Sequence, residues 1–587
     1  MTHTIRVPSH GQTIAAEKKD LLADKLQQAG IPLNLYCNKR GLCGKCFVEI
    51  VAGRRPDPGE RERFWLKQKD LSADHRLSCQ YEVEGDLVVN VPVSSTYENV
   101  PILPIIPRSA VAPDPAVKKY YLELPKAEIS SPHSLFERIL TGLAAKPLKI
   151  SIDTLRELGR TLKEAGQRVT VTVHWESEVI AVEPGNTIGQ NFGLAVDVGT
   201  TTLVMELVDV ESGRTLDMEA AFNSQSRRGA DVISRLTYAL AETKNAAELR
   251  ELVLETLNQM ARRLIVRNRI SPLSVYEVVV SGNTAMSHLL LGVPVETLAT
   301  APYHAVFSRL PGLNAREVGL AIHPHGKAYF APNIRSFVGG DISSGLLALR
   351  LAARPGNYLF LDLGTNGEIV LKAGEELIAT STAAGPAFEG MNISCGMPAL
   401  PGAIFSAEDT GAIQASTIGN GPAQGVCGTG LIDIMAIFLA RAEILPGGAI
   451  QNPAKRLPVA PPGIVLTQDD VRQMQLACAA IKSGIRLLLK ANGLSVESLD
   501  GVFIAGAFGS YLNIRNSMAL GLLPRMDEKR VTFIGNASLA GARLLLVAKE
   551  ERDEIESLVQ RIHYMSLASD REFQDYFIRA LEFAAWP

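Results

Sequence analysis

Two stretches of this chain read as the same unit. FGLAVDVGTTTLVMELVDVESGRTLDMEAAF begins at residue 192, and YLFLDLGTNGEIVLKAGEELIATSTAAG begins at residue 358. Each runs strand, tight turn, strand, turn, strand. Each also puts Asp-x-Gly-Thr on its first turn, as Asp197-Val198-Gly199-Thr200 and Asp362-Leu363-Gly364-Thr365. A repeated three-stranded unit within β-rich segments that alternate with long helical patterns predicts a duplicated fold with a cleft between the copies.

The turns carry a chemistry of their own. Glycine and small hydroxyl residues let backbone N–H groups converge on phosphate oxygens. Gly199, Thr200, Thr201, Thr202, Gly364, Thr365 and Asn366 are therefore the expected phosphate contacts. An aspartate at the end of each strand would repel phosphate unless a cation lies between them. Mg²⁺, which keeps waters and takes one or two carboxylates plus phosphate, meets that need, so Asp197 and Asp362 are its candidate ligands. Glu368 joins them as a candidate catalytic, water-orienting group, and Glu389 is a second one. VFIAGAFGSYLN (502–513) is an apolar strand running into Gly506 and Gly509, a junction that suits close approach of an adenine and ribose.

Other Gly/Ser/Thr-rich junctions are SGNTAMSHLL (281–290), FVGGDISSG (337–345), AAGPAFEG (383–390) and GVCGTGLID (425–433). Gly339, Gly340 and Asp341, and Gly428, Thr429 and Gly430, are expected to border the phosphate cleft or to serve as packing turns. His288 reads as structural, and Arg227 and Arg228 as surface groups. The three elements at 197–202, 362–368 and 502–510 resemble, in order, the phosphate-1, phosphate-2 and adenosine motifs of the ASKHA superfamily of acetate and sugar kinases, Hsp70 and actin. The departure is Ala507, where a second glycine is usual. The resemblance implies a two-lobed ATPase whose cleft opens and closes around Mg-ATP.

The seven cysteines are unevenly spread. Cys37, Cys43 and Cys46 fall in CNKRGLCGKC with the spacing C-x5-C-x2-C, and Cys79 follows in HRLSCQ. One loop giving three thiolates and a distant residue closing the set is the logic of a [2Fe–2S] ferredoxin. The long first gap makes the segment similar to the vertebrate-type ferredoxins. Gly41 and Gly44 sit where the backbone must wrap closely around the cluster. Zinc ribbons bring two C-x2-4-C pairs, and here there is one. Around the loop, TIRVPS and QTIAAEK read as a hairpin, KKDLLADKLQQAGI as an amphipathic helix, and CFVEIVAG and DLVVNVPV as strands, which is a β-grasp order. Cys395, Cys427 and Cys478 read as buried thiols.

The expected organisation of the 587 residues is a ferredoxin domain over 1–95, a proline-rich linker over 96–115 and a small α+β middle domain over 116–188. The ASKHA domain follows over 189–587, with lobes of about 189–355 and 356–587. The linker holds PILPIIPRSAVAPDP, a stiff extended connector. A net charge of −3 gives no case for nucleic acid or an anionic membrane. No apolar run reaches membrane-spanning length and the start lacks an export pattern, so the expected location is cytoplasmic.

A ferredoxin domain joined to an ASKHA ATPase is an unusual pairing. With AVDVGTTT, LDLGTNGE, AAGPAFEG and GVCGTGLID, the whole chain is similar to the reductive activators of corrinoid enzymes. That resemblance implies ATP-dependent return of one electron to a partner corrinoid protein whose cobalt has slipped from Co(I) to Co(II). It also implies a low-potential donor, and is compatible with a homodimer. The chain itself has no D-x-H-x-x-G corrinoid fingerprint, in line with cobalamin being carried by the partner. Three rival readings are an activator of another low-potential metalloenzyme, a small-molecule kinase with a redox-sensing domain, and a chaperone-like maturation factor.

Overall fold

A computed structural model describes residues 2–29, 31, 33, 39, 41, 44, 46–68, 71–92, 111–124, 133–144, 148–165, 167–461, 463–506, 512–567, 572–583 and 586. Cys37, Cys43, Ala507, Gly509 and most of the proline-rich connector lie outside these residues.

At the N-terminus, β1 (Thr2–Val7) and β2 (Gln12–Glu17) pair antiparallel, with Gly11 at φ +62° between them. α1 (Leu22–Gln28), β3 (Phe47–Ala52), α2 (Glu60–Gln68), β4 (His75–Leu77) and β5 (Leu87–Asn90) follow. The sheet order β2-β1-β5-β3-β4, with β1 parallel to β5, is the β-grasp arrangement. α1 buries Leu22, Ala23 and Leu26 in one core with Ile5, Val48 and Leu77.

The next unit holds β6 (Val117–Glu123), α3 (Leu135–Gly142), β7 (Lys149–Ile150), α4 (Ile152–Ala165), β8 (Arg168–His174) and β9 (Glu178–Pro184). Its sheet runs β6-β8-β9-β7. β6, VKKYYLE, escapes the sequence reading because its lysines mask the strand period. Lys119 is nonetheless buried, and its ammonium meets Glu183 at 2.6 Å.

The first lobe begins with the meander β10 (Phe192–Val198), β11 (Thr202–Asp209) and β12 (Arg214–Phe222). α5 (Val232–Ala241), α6 (Thr243–Arg267), β13 (Val275–Gly282), α7 (Thr284–Leu291), α8 (Glu296–Ala299), β14 (Leu313–Asn314), α9 (Ala315–Val318), β15 (Lys327–Phe330) and α10 (Gly340–Leu349) complete it. The second lobe opens with the meander β16 (Tyr358–Leu363), β17 (Gly367–Ala373) and β18 (Glu376–Thr382). An insertion of β19 (Ala403–Asp409), β20 (Ile413–Thr417), β21 (Gly425–Val426), α11 (Gly428–Ala440), β22 (Arg456–Ala460) and β23 (Ile464–Thr467) leads into α12 (Gln468–Ala491). Then come β24 (Gly501–Gly506), α13 (Ile514–Ala519), β25 (Val531–Gly535), α14 (Ala537–Val547), α15 (Glu550–Arg561), β26 (Ile562–Tyr564) and α16 (Phe573–Ala580).

The duplication is visible in the strand order. One sheet reads β12-β11-β10-β13-β15 and the other β18-β17-β16-β24-β25, each with one further edge strand. In both, the fourth and fifth strands add parallel to the first strand of the meander. Each sheet is covered on both faces, as parallel strands require. Leu194, Val196 and Val198 of β10 face one outer core, and Leu359, Leu361 and Leu363 of β16 face the other. Ala195 and Phe360 turn the opposite way, into a central core shared by the two lobes. α10 and α14 fill that centre. They lie so close that a Cβ on Gly541 would sit 2.2 Å from the carbonyl oxygen of Ser344.

α14 also reaches back to the unit before the lobes. The carbonyl of Val547 accepts from the N–H of Asp114 at 2.8 Å, and the N–H of Lys549 donates to Asp114 at 2.9 Å. The Lys549 ammonium meets Glu176 at 2.6 Å, and Arg552 meets Glu277 at 2.9 Å. One docked edge thus ties together the 114–184 unit, the first lobe and the second.

Candidate functional site: a nucleotide cleft and a cysteine loop

The two Asp-x-Gly-Thr turns face a single cavity of about 710 Å³. Its walls include Asp197, Gly199, Thr200, Thr201 and Thr202 from the first lobe, and Asp362, Gly364, Thr365, Asn366 and Glu368 from the second. Each turn is closed by a bond from the N–H of its glycine, to the carbonyl three residues on in the first and two residues on in the second. The N–H of Gly199 bonds the carbonyl of Thr202 at 3.0 Å, and the N–H of Gly364 bonds that of Asn366 at 3.0 Å. Glu389 spans them, accepting from the Thr201 hydroxyl at 2.8 Å and from the Thr365 hydroxyl at 2.9 Å. One carboxylate therefore bridges both phosphate-type loops across the lobe boundary.

Gly428 and Thr429 open α11 against the same cavity, where a helix N-terminus presents unpaired N–H groups to an anion. Gly430 is a packing residue, since a Cβ there would lie 2.2 Å from the carbonyl of Ile404. Gly506 ends β24 at φ +97°, and a Cβ would meet Leu363 O at 2.5 Å and Asp362 Oδ1 at 2.7 Å. The strand end is thereby pressed onto Asp362. Gly339 and Gly340 do not line the cavity. A Cβ on the first would be 2.4 Å from Asn283 Cα, and on the second 2.6 Å from Ala331 O, so both permit α10 to start against its neighbours. Asp341, next to them, does line it. Gly509 is outside the described residues.

Among the lining residues that escape the sequence reading, three hydrogen-bond to the first turn or its aspartate. Asn283 caps α7 and donates to the Thr200 hydroxyl at 2.9 Å. Asn536 and Ser538, at the start of α14, donate to Asp197 at 2.8 and 2.7 Å. The signal was present twice, as a Gly-Asn pair closing an apolar strand and opening a helix at 282–283 and 535–536. His288 is structural as expected: it is buried, accepts from Val306 N at 3.0 Å and stacks on Phe307. Arg228 is half-buried, paired with Glu248, and does not point into the cavity.

The cavity wall is acidic. Asp197, Asp341, Asp362, Glu368 and Glu389 line it, and among the described lining residues there is no Lys or Arg. Asp362 and Glu368 sit directly opposite each other on β16 and β17. Burial, with Asp197 nearby, pushes Asp341 up to about 7. Burial, with Asp341 and Asp197, pushes Asp362 up to about 8. Burial also raises Glu368, Asp197 and Glu389, and for Asp197 the Ser538 and Asn536 hydrogen bonds oppose it. No three described His, Cys, Asp or Glu side chains converge closely enough to chelate a metal directly. A cation here would be held largely through water and phosphate.

A pH dependence follows from the sign of these shifts. Asp362 holds its proton up to about 8 when folded, whereas an unfolded chain releases it near 3.8. Between those values the folded state binds more protons, so stability falls as pH rises. In EDTA, the melting temperature is expected to drop steadily from pH 5 to pH 9, and less so in Asp362→Asn. A flat profile in the wild-type protein would contradict the buried acidic cluster.

The second candidate site lies in the N-terminal domain. Cys46 and Cys79 are 1% and 2% exposed. The segments that carry them are pinned together, with the N–H and hydroxyl of Ser78 donating to the carbonyl of Cys46 at 3.0 and 2.9 Å. Gly41 and Gly44 have φ of +71° and +59°. A Cβ on Gly44 would lie 2.5 Å from the Trp65 ring, and the Trp65 indole N–H donates to Gly41 O at 3.1 Å. Trp65 of α2 thus holds the loop from outside, a role that sequence reading assigned to no residue. Two glycines with left-handed backbone and two buried thiols fit a [2Fe–2S] cluster; the other two cysteines of the set, Cys37 and Cys43, are outside the described residues.

A duplicated ASKHA nucleotide fold with a ferredoxin domain at its N-terminus defines an iron–sulfur ATPase. Family models match end to end. The 2Fe-2S iron-sulfur cluster binding domain covers 5–84, the RACo linker region 108–189, the RACo middle region 192–354, and the C-terminal domain of RACo, the ASKHA domain, 356–586. The unit that the sequence sets apart at 116–188 thus carries the family's linker description, and the first lobe its middle-region description. A solved structure described as a reductive activator for corrinoid, iron-sulfur protein is 32% identical, covering 99% of this chain and 98% of its own, with a TM-score of 0.74. The corrinoid activation enzyme RamQ of Eubacterium limosum is 29% identical over 97% of both chains. A [Co(II) methylated amine-specific corrinoid protein] reductase of Methanosarcina barkeri is 27% identical over 67% of this chain and 77% of its own. The chain belongs to this family of reductive activators of corrinoid proteins. Among the described residues no helix is long and apolar enough to cross a membrane.

Proposed function

We infer that this protein is an ATP-dependent activator that returns a partner corrinoid protein from Co(II) to Co(I), one electron at a time. The observation that carries this reading is the pairing, in one chain, of a thiolate loop with a cleft in which Glu389 joins the two phosphate-type turns. A [2Fe–2S] cluster held by Cys37, Cys43, Cys46 and Cys79 supplies a one-electron couple; the electron comes from a low-potential donor and ends on the partner's cobalt. ATP is cleaved to ADP and phosphate with no change in oxidation state, so its role is to move the protein.

The magnitudes suit that division. Ferredoxin-type clusters of the plant type sit near roughly −400 mV. Lifting one electron by ~240 mV needs about 5.5 kcal/mol, at ~59 mV per factor of ten. The same free energy shifts a two-state equilibrium from about 1:99 to 99:1. A lobe closure driven by nucleotide is of that scale.

Within the cleft, Thr200, Thr201, Thr202, Thr365 and Asn366 and the start of α11 hold phosphate oxygens. Asp197 and Asp362 hold hydrated Mg²⁺, and Glu368 orients the attacking water. The acidic wall supports this reading, because phosphate cannot approach it without a counter-ion. Cation binding selects the ionised carboxylates, so Mg²⁺-dependent nucleotide affinity is expected to strengthen as pH rises from 6 to 8.5. Glu389→Gln keeps the size of the bridge and removes its charge. It is expected to lower ATP turnover by about 10- to 100-fold with a smaller change in nucleotide affinity.

The test is anaerobic spectroscopy of the reduced protein mixed with a Co(II) corrinoid protein, with and without Mg-ATP. Co(I) formed only with ATP supports the coupled reading. A reducible cluster and an active ATPase that yield no Co(I) with several corrinoid partners would point to another low-potential client.

A further inference from the structure

The cavity wall presents five carboxylates, yet a cation stands one layer behind it. Arg235, on α5, is fully buried. Its guanidinium donates to the carbonyl of Thr200 at 2.6 Å, to Gly229 O at 2.9 Å and to Gln225 Oε1 at 3.3 Å, and it touches the sulfur of Met286 at 3.2 Å. No described carboxylate is hydrogen-bonded to it; Asp231 and Glu389 act on it only through space. A guanidinium stays protonated near neutral pH even when burial lowers its affinity for the proton, here to about 9. A buried charge without an ion-pair partner is destabilising unless something compensates it.

Two consequences meet at the first phosphate-type turn. A trans peptide points its C=O and its N–H in opposite directions. Because the Thr200 carbonyl is drawn back to Arg235, the N–H of Thr201 points the other way, to the cavity side. The same guanidinium places a positive charge behind that N–H, in low-dielectric surroundings that strengthen its field.

We propose that Arg235 is a positioning residue for the terminal phosphate of the nucleotide, aiming the Thr200–Thr201 peptide and supplying from behind the wall the positive charge that the wall lacks. The triphosphate is its counter-charge. This rests on the reading of the cavity as an ATP site and adds to it the means by which ATP is told from ADP.

The test is binding of ATP and of ADP to the full-length protein in Mg²⁺, by calorimetry, with circular dichroism and cluster absorption as checks on folding. Arg235→Gln keeps a donor and removes the charge; it is expected to reduce the preference for ATP over ADP by about tenfold. Arg235→Lys keeps the charge and restores most of that preference. Asp231→Asn removes a carboxylate that offsets Arg235 while keeping an acceptor to cap α5; it is expected to raise the preference about twofold and serves if the arginine variants do not fold. Equal losses for ATP and ADP in folded Arg235→Gln, or an unchanged ratio in Asp231→Asn, would overturn the proposal. A wild-type protein that binds neither nucleotide would instead overturn the ATP-site reading itself.

Discussion

Asp362→Asn is expected to keep the protein folded and its cluster absorption intact, while slowing ATP-driven Co(I) formation by about a hundredfold or more. The side chain keeps its shape, so Gly506 still closes over it and β16 still pairs with β17. What disappears is an ionisable group beside Glu368, Asp341 and Asp197, one that becomes negative above about pH 8 or when a cation binds. Above that pH the metal-free variant should therefore melt at the same temperature or higher, because mutual repulsion among buried carboxylates is relieved. Stability and activity moving in opposite directions is the signature of a residue kept for chemistry. ATPase rate, Co(I) absorbance and thermal melting on one preparation decide it; full activity in the variant would remove Asp362 from the mechanism.

Cys79→Ala gives the complementary result. The visible absorption of the cluster is lost, Co(II) reduction falls to background, and ATP binding and hydrolysis stay within about twofold of wild type. Alanine is preferred over serine, whose oxygen can still ligate iron. Cys79 lies on the short turn Ser78–Gln80, inside the N-terminal core and away from the cavity lining, so the two activities are separable on structural grounds. A maturation factor that carries no electrons would tolerate this change. Retained Co(I) formation in the variant would exclude the cysteine loop as the route.

Much of the fold was legible because its signals are local. The strand–turn–strand repeat, the hairpin around Gly11 and the helix of the N-terminal domain each announce themselves within a dozen residues. The cavity residues on the two turns were legible for the same reason, since Gly-Thr after an apolar strand has few uses. What stayed hidden depends on residues far apart in sequence. Asp197 and Ser538 are 341 positions apart, and Thr201 and Glu389 are 188 apart. Gly339 and Gly340 show the converse. Their Gly-Gly signal is real, but it serves the approach of one element to another, and only the neighbours of a Cβ reveal which. Arg235 was unreadable because an arginine on a helix is ordinarily solvated, and nothing in ISRL says that this one is enclosed.

α14 has a consequence for the whole molecule. The helix is 11 residues, roughly 16 Å. The cap and first turn of this helix bind Asp197, and its last pairs with Asp114, at the C-terminal end of the proline-rich segment. Cleft and tether are opposite ends of one rod. Any free energy with which nucleotide favours one setting of that rod is reciprocal: fixing the tether changes nucleotide affinity by the same factor. A partner that seats on the N-terminal domain and shifts its tether would thus change how tightly the cleft holds nucleotide without touching the cleft.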